Sequence, residues 1–164
     1  ERLAIIEELN PLSHQQVYFT KIEYASPYHL FTKEPRFIEH DCNMLLVCGI
    51  ANPKPLKEML TNYTDTYEMI LFSDHHIFSI DDLAEIKKQF LKIESSNKLI
   101  LTTEKDGVRL AKFENELRDL PIYVLPMRHK FLFGEEEKFD ANVIAFVESF
   151  DTTAGEYEPG PGGD

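Results

Sequence analysis

Asp74-His75-His76 is the part of this sequence best suited to proton chemistry. Histidine changes charge near neutral pH, and a neighbouring carboxylate fixes its tautomer and raises its pKa. The triplet follows an apolar, strand-like segment, Met69 to Phe72. It runs through Ile77 and Phe78 into a helix start at Ser79-Ile80-Asp81-Asp82. Open α/β sheets place their chemistry at the carboxyl ends of strands. The plain alternative is a surface turn in which one histidine caps and the other is solvated.

Two more segments occupy the same kind of place. Gly49-Ile50-Ala51-Asn52-Pro53 follows the apolar run Met44 to Cys48, and Thr102-Thr103-Glu104-Lys105-Asp106 ends the run that begins at Leu99. The first brings backbone to a helix N-terminus, which tolerates anions; taken alone it reads as well as an ordinary strand-to-helix turn. The second gathers hydroxyls, acids and a lysine; alone it reads as well as a capped helix start with a solvated Glu–Lys pair. A parallel sheet brings all three segments to one rim, and that convergence favours a site. Asp74 and His75 are the candidate catalytic residues, with His76, Thr103, Glu104, Lys105, Asp106 and Asn52 in support.

The elements that must position these residues are legible from periodicity. Met44-Leu45-Leu46-Val47-Cys48 is continuously apolar, as a strand covered on both faces should be. Asn52 and Pro53 suit a helix start, and Leu56, Met59, Leu60 and Tyr63 form the apolar face that follows. Ser79 with Asp82 resembles a capping box, leading a helix with the stripe Leu83, Ile86, Phe90 and Ile93. Leu99 to Thr103 is a third strand, and Thr103 caps a helix carrying Val108, Leu110 and Ala111. Pro121 to Pro126 is a fourth strand, and its prolines place it near an edge. Phe139, Val143, Phe146, Val147 and Phe150 line a last helix. Upstream, Glu1 to Leu9 is a helix end stopped by Asn10-Pro11, Gln16 to Tyr24 reads as a strand, and Ala25 to His40 as a connector with little regular structure.

Strands alternating with helices predict an α/β fold: a three-layer α/β/α, Rossmann-like domain with a mainly parallel sheet, preceded by a β linker. Taking the strands in chain order from Met44, the expected sheet order is 2-1-3-4. The expected division is a helix end and β linker over 1–40, the α/β/α domain over 41–150, and a flexible acidic tail over 151–164. The 164 residues suit one ordinary domain plus such a linker and tail.

Composition excludes several classes. The net charge of -12 makes nucleic acid an unfavourable partner. No apolar run reaches the roughly 18 residues a membrane helix needs. Cys42 and Cys48 make neither a disulfide framework nor a zinc site and fit a reducing compartment. The start at Glu1, without Met, suggests a fragment. No phosphate-cradling Gly-x-x-x-x-Gly-Lys-Ser/Thr, no dinucleotide Gly-x-Gly-x-x-Gly and no Gly-x-Ser-x-Gly elbow occurs.

Taken together, Gly49-Ile50-Ala51-Asn52-Pro53, Phe72-Ser73-Asp74-His75-His76-Ile77-Phe78 and Thr102-Thr103-Glu104-Lys105-Asp106-Gly107-Val108-Arg109-Leu110 resemble the tetraacyldisaccharide 4'-kinases, the lipid A 4'-kinases of Gram-negative bacteria. The resemblance covers roughly residues 1 to 150 and points to the carboxyl-terminal half of such an enzyme. It implies phosphorylation of the 4'-hydroxyl of a lipid disaccharide phosphate with ATP and Mg2+, divided between two α/β/α domains joined by a small β linker. It further implies that an amino-terminal P-loop domain holds ATP, Mg2+ and a catalytic aspartate, and makes peripheral contact with the cytoplasmic face of the inner membrane. Asp74 and His75 match the family's functional pair; His75 would tune that aspartate as a base, and Asp74 would orient or charge-balance the site. The P-loop half is absent from this sequence. Phosphoryl transfer depends on positioning and charge stabilisation by the P-loop and metal, so the chain alone is expected to be inactive, with no ATP or metal of its own.

Two other readings compete. Asp-His-His is also the name-giving motif of metal-dependent phosphoesterases, but these need further acids for two metal ions, and Asp65-Thr66-Tyr67 does not supply the expected pair. A non-catalytic Rossmann-like binding module is the third reading.

Overall fold

The computed structural model of the chain describes residues 1–61, 63, 64 and 66–151. The chain forms two compact units, Glu1–Glu23 with His129–Asp164, and Tyr24–Arg128. These boundaries differ from the divisions at 40 and 150 suggested by the sequence.

The larger unit holds a five-stranded sheet: β2 (Tyr28–His29), β3 (Asn43–Cys48), β4 (Tyr67–Leu71), β5 (Lys98–Thr103) and β6 (Ile122–Leu125), in the order β2-β6-β5-β3-β4. β3 pairs in parallel with β4 and with β5, and β5 with β6; β2 runs antiparallel to β6. The four parallel strands thus lie in the expected order. The fold is α/β, with a mostly parallel sheet flanked by helices.

The unbroken apolar run of β3 is explained by burial on both faces. Leu45 and Val47 join one core with Ile100, Ile122 and Val124. Met44, Leu46 and Cys48 join another with Leu99, Leu101 and Leu125. The first core is closed by Leu83, Ile86 and Phe90 of α3 (Ile80–Lys92), Leu110 of α4 (Glu104–Leu110) and Leu117 of α5 (Glu114–Leu117). The second is closed by Leu56 and Leu60 of α2 (Lys54–Leu60). Ser79 caps α3 in a capping box with Asp82, and the Thr103 side chain accepts the Asp106 N–H at the start of α4.

Two expectations, the connector with little regular structure and the cap of α2, need correction. The supposed connector holds a strand, β2, which pairs outside the 121–126 strand; that strand therefore lies next to the edge, as expected, and Pro121 and Pro126 flank its four residues. β4 is the opposite edge strand, as the expected order has it, so Ile70 is only half buried, and Met69 and Leu71 are exposed. At α2, Pro53 is the N-cap, and Asn52 sits one residue earlier, its Oδ1 accepting the Lys54 N–H.

The smaller unit holds α1 (Arg2–Leu9) and α6 (Glu136–Asp151). β1 (Thr20–Tyr24) pairs with β7 (Met127–Phe131) as a two-stranded sheet. The strand expected from Gln16 is therefore only its last five residues. Asn10 ends α1 in a left-handed conformation, φ 43°. Phe139 packs on Tyr18 and Phe131, and Arg2 pairs with Glu135. None of the described residues of this unit is fully buried, and Leu3 and Leu9 of α1 and Val143, Phe146, Val147 and Phe150 of α6 are exposed. The acidic tail proposed for 151–164 lies, beyond Asp151, outside the described residues.

Candidate functional site

The sheet order reverses at β3: the chain goes to β4 on one side and returns to β5 on the other. Ligand sites of open α/β sheets lie outside the carboxyl ends of the strands at such a switch point. The loops after β3, β4 and β5 begin at Gly49, Phe72 and Thr103, and carry the three motifs.

Asp106 joins two of these loops. It is fully buried. Its Oδ2 accepts the Gly49 N–H at 2.8 Å and the Thr103 hydroxyl at 2.9 Å. Gly49 suits this close approach: a Cβ would come 3.0 Å from the Ser73 carbonyl oxygen and 3.6 Å from Asp106 Oδ1. The three loops are therefore in close approach, and the rim expected from sequence exists as a packed feature.

The Asp74 turn is held from α4. Lys105 Nζ donates to Asp74 Oδ1 at 2.5 Å, and the His75 N–H donates to the same oxygen at 2.9 Å. The Lys105 hydrogen bond, against some desolvation and with help from the His75 N–H, holds the Asp74 carboxyl below the ordinary aspartate range. Asp74 is thus an anion with a fixed orientation.

The two histidines differ in kind. His75 has φ 62°, the left-handed region that side chains with a Cβ disfavour. Its ring is 81% exposed and approaches Asp74, Nε2 to Oδ2 at 3.6 Å. His76 is packed: its ring stacks on Phe72 at 4.4 Å between centroids and meets Phe78 edge-on. His76 Nε2 donates to Asp82 Oδ2 at 3.0 Å, and the same oxygen accepts the Ser79 N–H and hydroxyl. Desolvation pushes the Asp82 carboxyl up, but these hydrogen bonds together outweigh it and leave it below its ordinary value. His76 braces the turn, and His75 is presented to solvent.

Of the remaining candidates, Thr103 and Lys105 belong to the cluster. Glu104 does not: it is exposed and accepts the Met127 N–H at 3.2 Å. Asn52 is exposed and serves the start of α2. Sequence reasoning missed the role of Arg109, whose Nη1 donates to the His76 carbonyl at 3.2 Å. Its position three residues after Asp106 on one helix was the available signal. It also left Asp82 as a mere cap, although Asp82 holds His76.

Among the described residues no group of three or more His, Cys, Asp or Glu side chains is arranged to hold a metal ion. The cluster instead offers an oriented carboxylate and a free imidazole on a rigid rim. That arrangement suits tuning a proton on another group.

Residues 5–148 match the family described as Tetraacyldisaccharide-1-P 4'-kinase. The chain belongs to the tetraacyldisaccharide 4'-kinase family. It is 40% identical over 146 residues to a tetraacyldisaccharide 4'-kinase of Phocaeicola vulgatus, covering 85% of this chain and 39% of that protein. It is 36% identical over 157 residues to one of Bacteroides thetaiotaomicron, covering 87% of this chain and 41% of that protein. The chain thus spans about two fifths of the length of these kinases. The "apo" form of LpxK from Aquifex aeolicus in complex with ATP shares the fold, with a TM-score of 0.50 and 17% identity over 82% of this chain and 38% of that one. The family membership and the α/β fold agree with the reading of the three motifs.

Proposed function

We propose that this chain is the carboxyl-terminal part of an ATP-dependent kinase that phosphorylates the 4'-hydroxyl of a lipid A disaccharide precursor, and that Asp74 and His75 are its contribution to an interdomain active site. The observation that carries the proposal is the contrast at the turn. Asp74 is clamped by Lys105. His75, next to it, is held at φ 62° with its ring 81% exposed and its Nε2 3.6 Å from Asp74 Oδ2. A disfavoured backbone conformation that presents an exposed titratable group is characteristic of functional positions.

In this reading an amino-terminal P-loop domain of the same protein holds ATP and Mg2+. Both groups are assigned to that domain because the described residues include no metal-ligand cluster and this sequence has no phosphate-cradling glycine loop. What this chain supplies is proton management. The His75 ring meets a carboxylate of the amino-terminal domain and tunes it as the base for the 4'-hydroxyl, and Asp74 sets the orientation and charge balance. His76, Thr103, Lys105 and Asp106 hold the turn. Residues 1–40 form, at least in part, the β linker to that domain. No helix among the described residues is long and apolar enough to cross a membrane, and contact with the cytoplasmic face of the inner membrane belongs to the amino-terminal part.

The test is phosphate transfer from ATP to the lipid disaccharide by the full-length kinase with His75→Ala or Asp74→Asn. Removing acid–base assistance lowers turnover by about a hundredfold or more. Near-normal turnover in both variants would reject the assignment.

A further inference from the structure

We infer that Arg109 is a positioning residue for His75, acting through the backbone of the turn rather than on substrate; the inference rests on the functional reading given above. A residue with a Cβ stays at positive φ only where its surroundings over-determine it. The His76 N–H closes the turn onto the Ser73 carbonyl at 3.2 Å, and at His75 two further restraints act on it from α4. On the amino side the His75 N–H is bound to Asp74 Oδ1, which Lys105 fixes. On the carboxyl side the next carbonyl, that of His76, accepts from Arg109 Nη1 at 3.2 Å. Lys105 and Arg109 are four residues apart on α4 and so share one face of that helix. One helix face thus grips both ends of the turn.

Arg109 is itself fixed from below. Asp106 Oδ1 is buried and accepts no hydrogen bond, and Arg109 Nη1 stands 3.7 Å from it. A buried carboxylate needs a countercharge, and Asp106 Oδ2 is already taken by Gly49 and Thr103. The guanidinium can face the carboxylate and the His76 carbonyl at once because its donors form a planar fork; an ammonium does this less well. The order Lys105-Asp106-Gly107-Val108-Arg109 therefore reads as a clamp. Asp106 sets Arg109, Arg109 and Lys105 set the turn, and the turn presents His75.

Two arms test this. In the first, the chain itself is studied by NMR, with the His75 amide–Cα-proton coupling and amide order parameters reporting the turn. Arg109→Ala is expected to abolish the left-handed signature and mobilise His75, and Arg109→Lys to restore part of it. Should Arg109→Ala unfold the larger unit, Arg109→Lys carries the comparison alone. An unchanged His75 in a folded variant would overturn the inference. In the second arm, the Phocaeicola vulgatus kinase carries residues 1–150 of this chain in place of its matching segment. Arg109→Ala is expected to lower kcat about tenfold to a hundredfold, the scale of a displaced catalytic group, with KM for ATP within about twofold. The double variant His75→Ala/Arg109→Ala should be no slower than His75→Ala, because Arg109 acts only through His75. A fully additive double variant would overturn the positioning role. Normal turnover by His75→Ala would instead reject the functional reading, whatever the NMR result for Arg109.

Discussion

Replacing His75 with glycine separates the strain of the turn from its chemistry. His75 sits at φ 62°. For a residue with a Cβ the left-handed conformation is unfavourable by about 1–2 kcal/mol, and glycine is free of that term. Glycine also gives the unfolded chain more freedom, which opposes the gain by about 0.5–1 kcal/mol. The lost side chain contributes little: it is 81% exposed and only 3.6 Å ion-pair geometry links it to Asp74. Exposed pairs of this kind are worth about 0–1 kcal/mol. The midpoints of these terms leave a small stabilisation of about 0.25 kcal/mol for His75→Gly. His75→Ala keeps the Cβ and its strain, and should lie within about 0.5 kcal/mol of the parent. With an m-value of about 2 kcal/mol/M, His75→Gly raises the urea midpoint by about 0.1 M. Urea titrations followed by far-ultraviolet circular dichroism suit a chain without tryptophan. The same variant should lose phosphotransfer in the full-length kinase. A destabilisation by glycine of more than about 1 kcal/mol would show that the His75 side chain supports the fold, and would refute the strain argument.

Other outcomes follow from the same geometry. Gly49→Ala places a Cβ 3.0 Å from the Ser73 carbonyl oxygen; as an overpacking of backbone it should destabilise by about 1–3 kcal/mol in denaturant unfolding. Asp82 has its carboxyl below the ordinary value in the folded chain, so its stabilisation is complete above the unfolded value and is lost as pH falls through the lower folded one. Urea midpoints measured from pH 6 down to 2.5 should therefore drop below about pH 4, and less steeply in Asp82→Asn. Burial pushes the Cys48 thiol up to about 11; with Cys42 also buried, mass spectrometry should find neither alkylated by iodoacetamide at pH 7.5 until urea is added.

The parallel core was readable because burial on both faces forces continuous apolar runs, and Met44 to Cys48 and Leu99 to Leu101 have few other uses. The capping residues Ser79 and Thr103 fixed the starts of α3 and α4 for a local reason: their side chains accept the N–H three residues on. β2 was missed because two residues, Tyr28 and His29, carry no period, and their strand character comes only from pairing with Tyr123 and Val124. That same pairing adds β2 outside the 121–126 strand, which lies next to the edge, in keeping with its flanking prolines. The exposed apolar residues of α1 and α6 were unreadable as exposed, since amphipathic spacing reports a face and not what covers it. At the candidate site, residue types and spacing singled out Asp74, His75 and Lys105, which the structure brings together. The left-handed backbone of His75, the division of labour between the histidines and the part played by Arg109 depend on contacts between α4 and the Asp74 turn, which lie about thirty residues apart in sequence.

The central claim is that this chain brings a clamped aspartate and a presented histidine to a kinase active site. The most direct measurement is the kcat of the full-length kinase for the lipid disaccharide, at saturating ATP, with and without His75→Ala. The expected result is a fall of about a hundredfold or more, in a protein whose unfolding midpoint barely moves. Unchanged kcat, or a fall matched by loss of the fold, would contradict the claim and leave His75 as part of a surface turn.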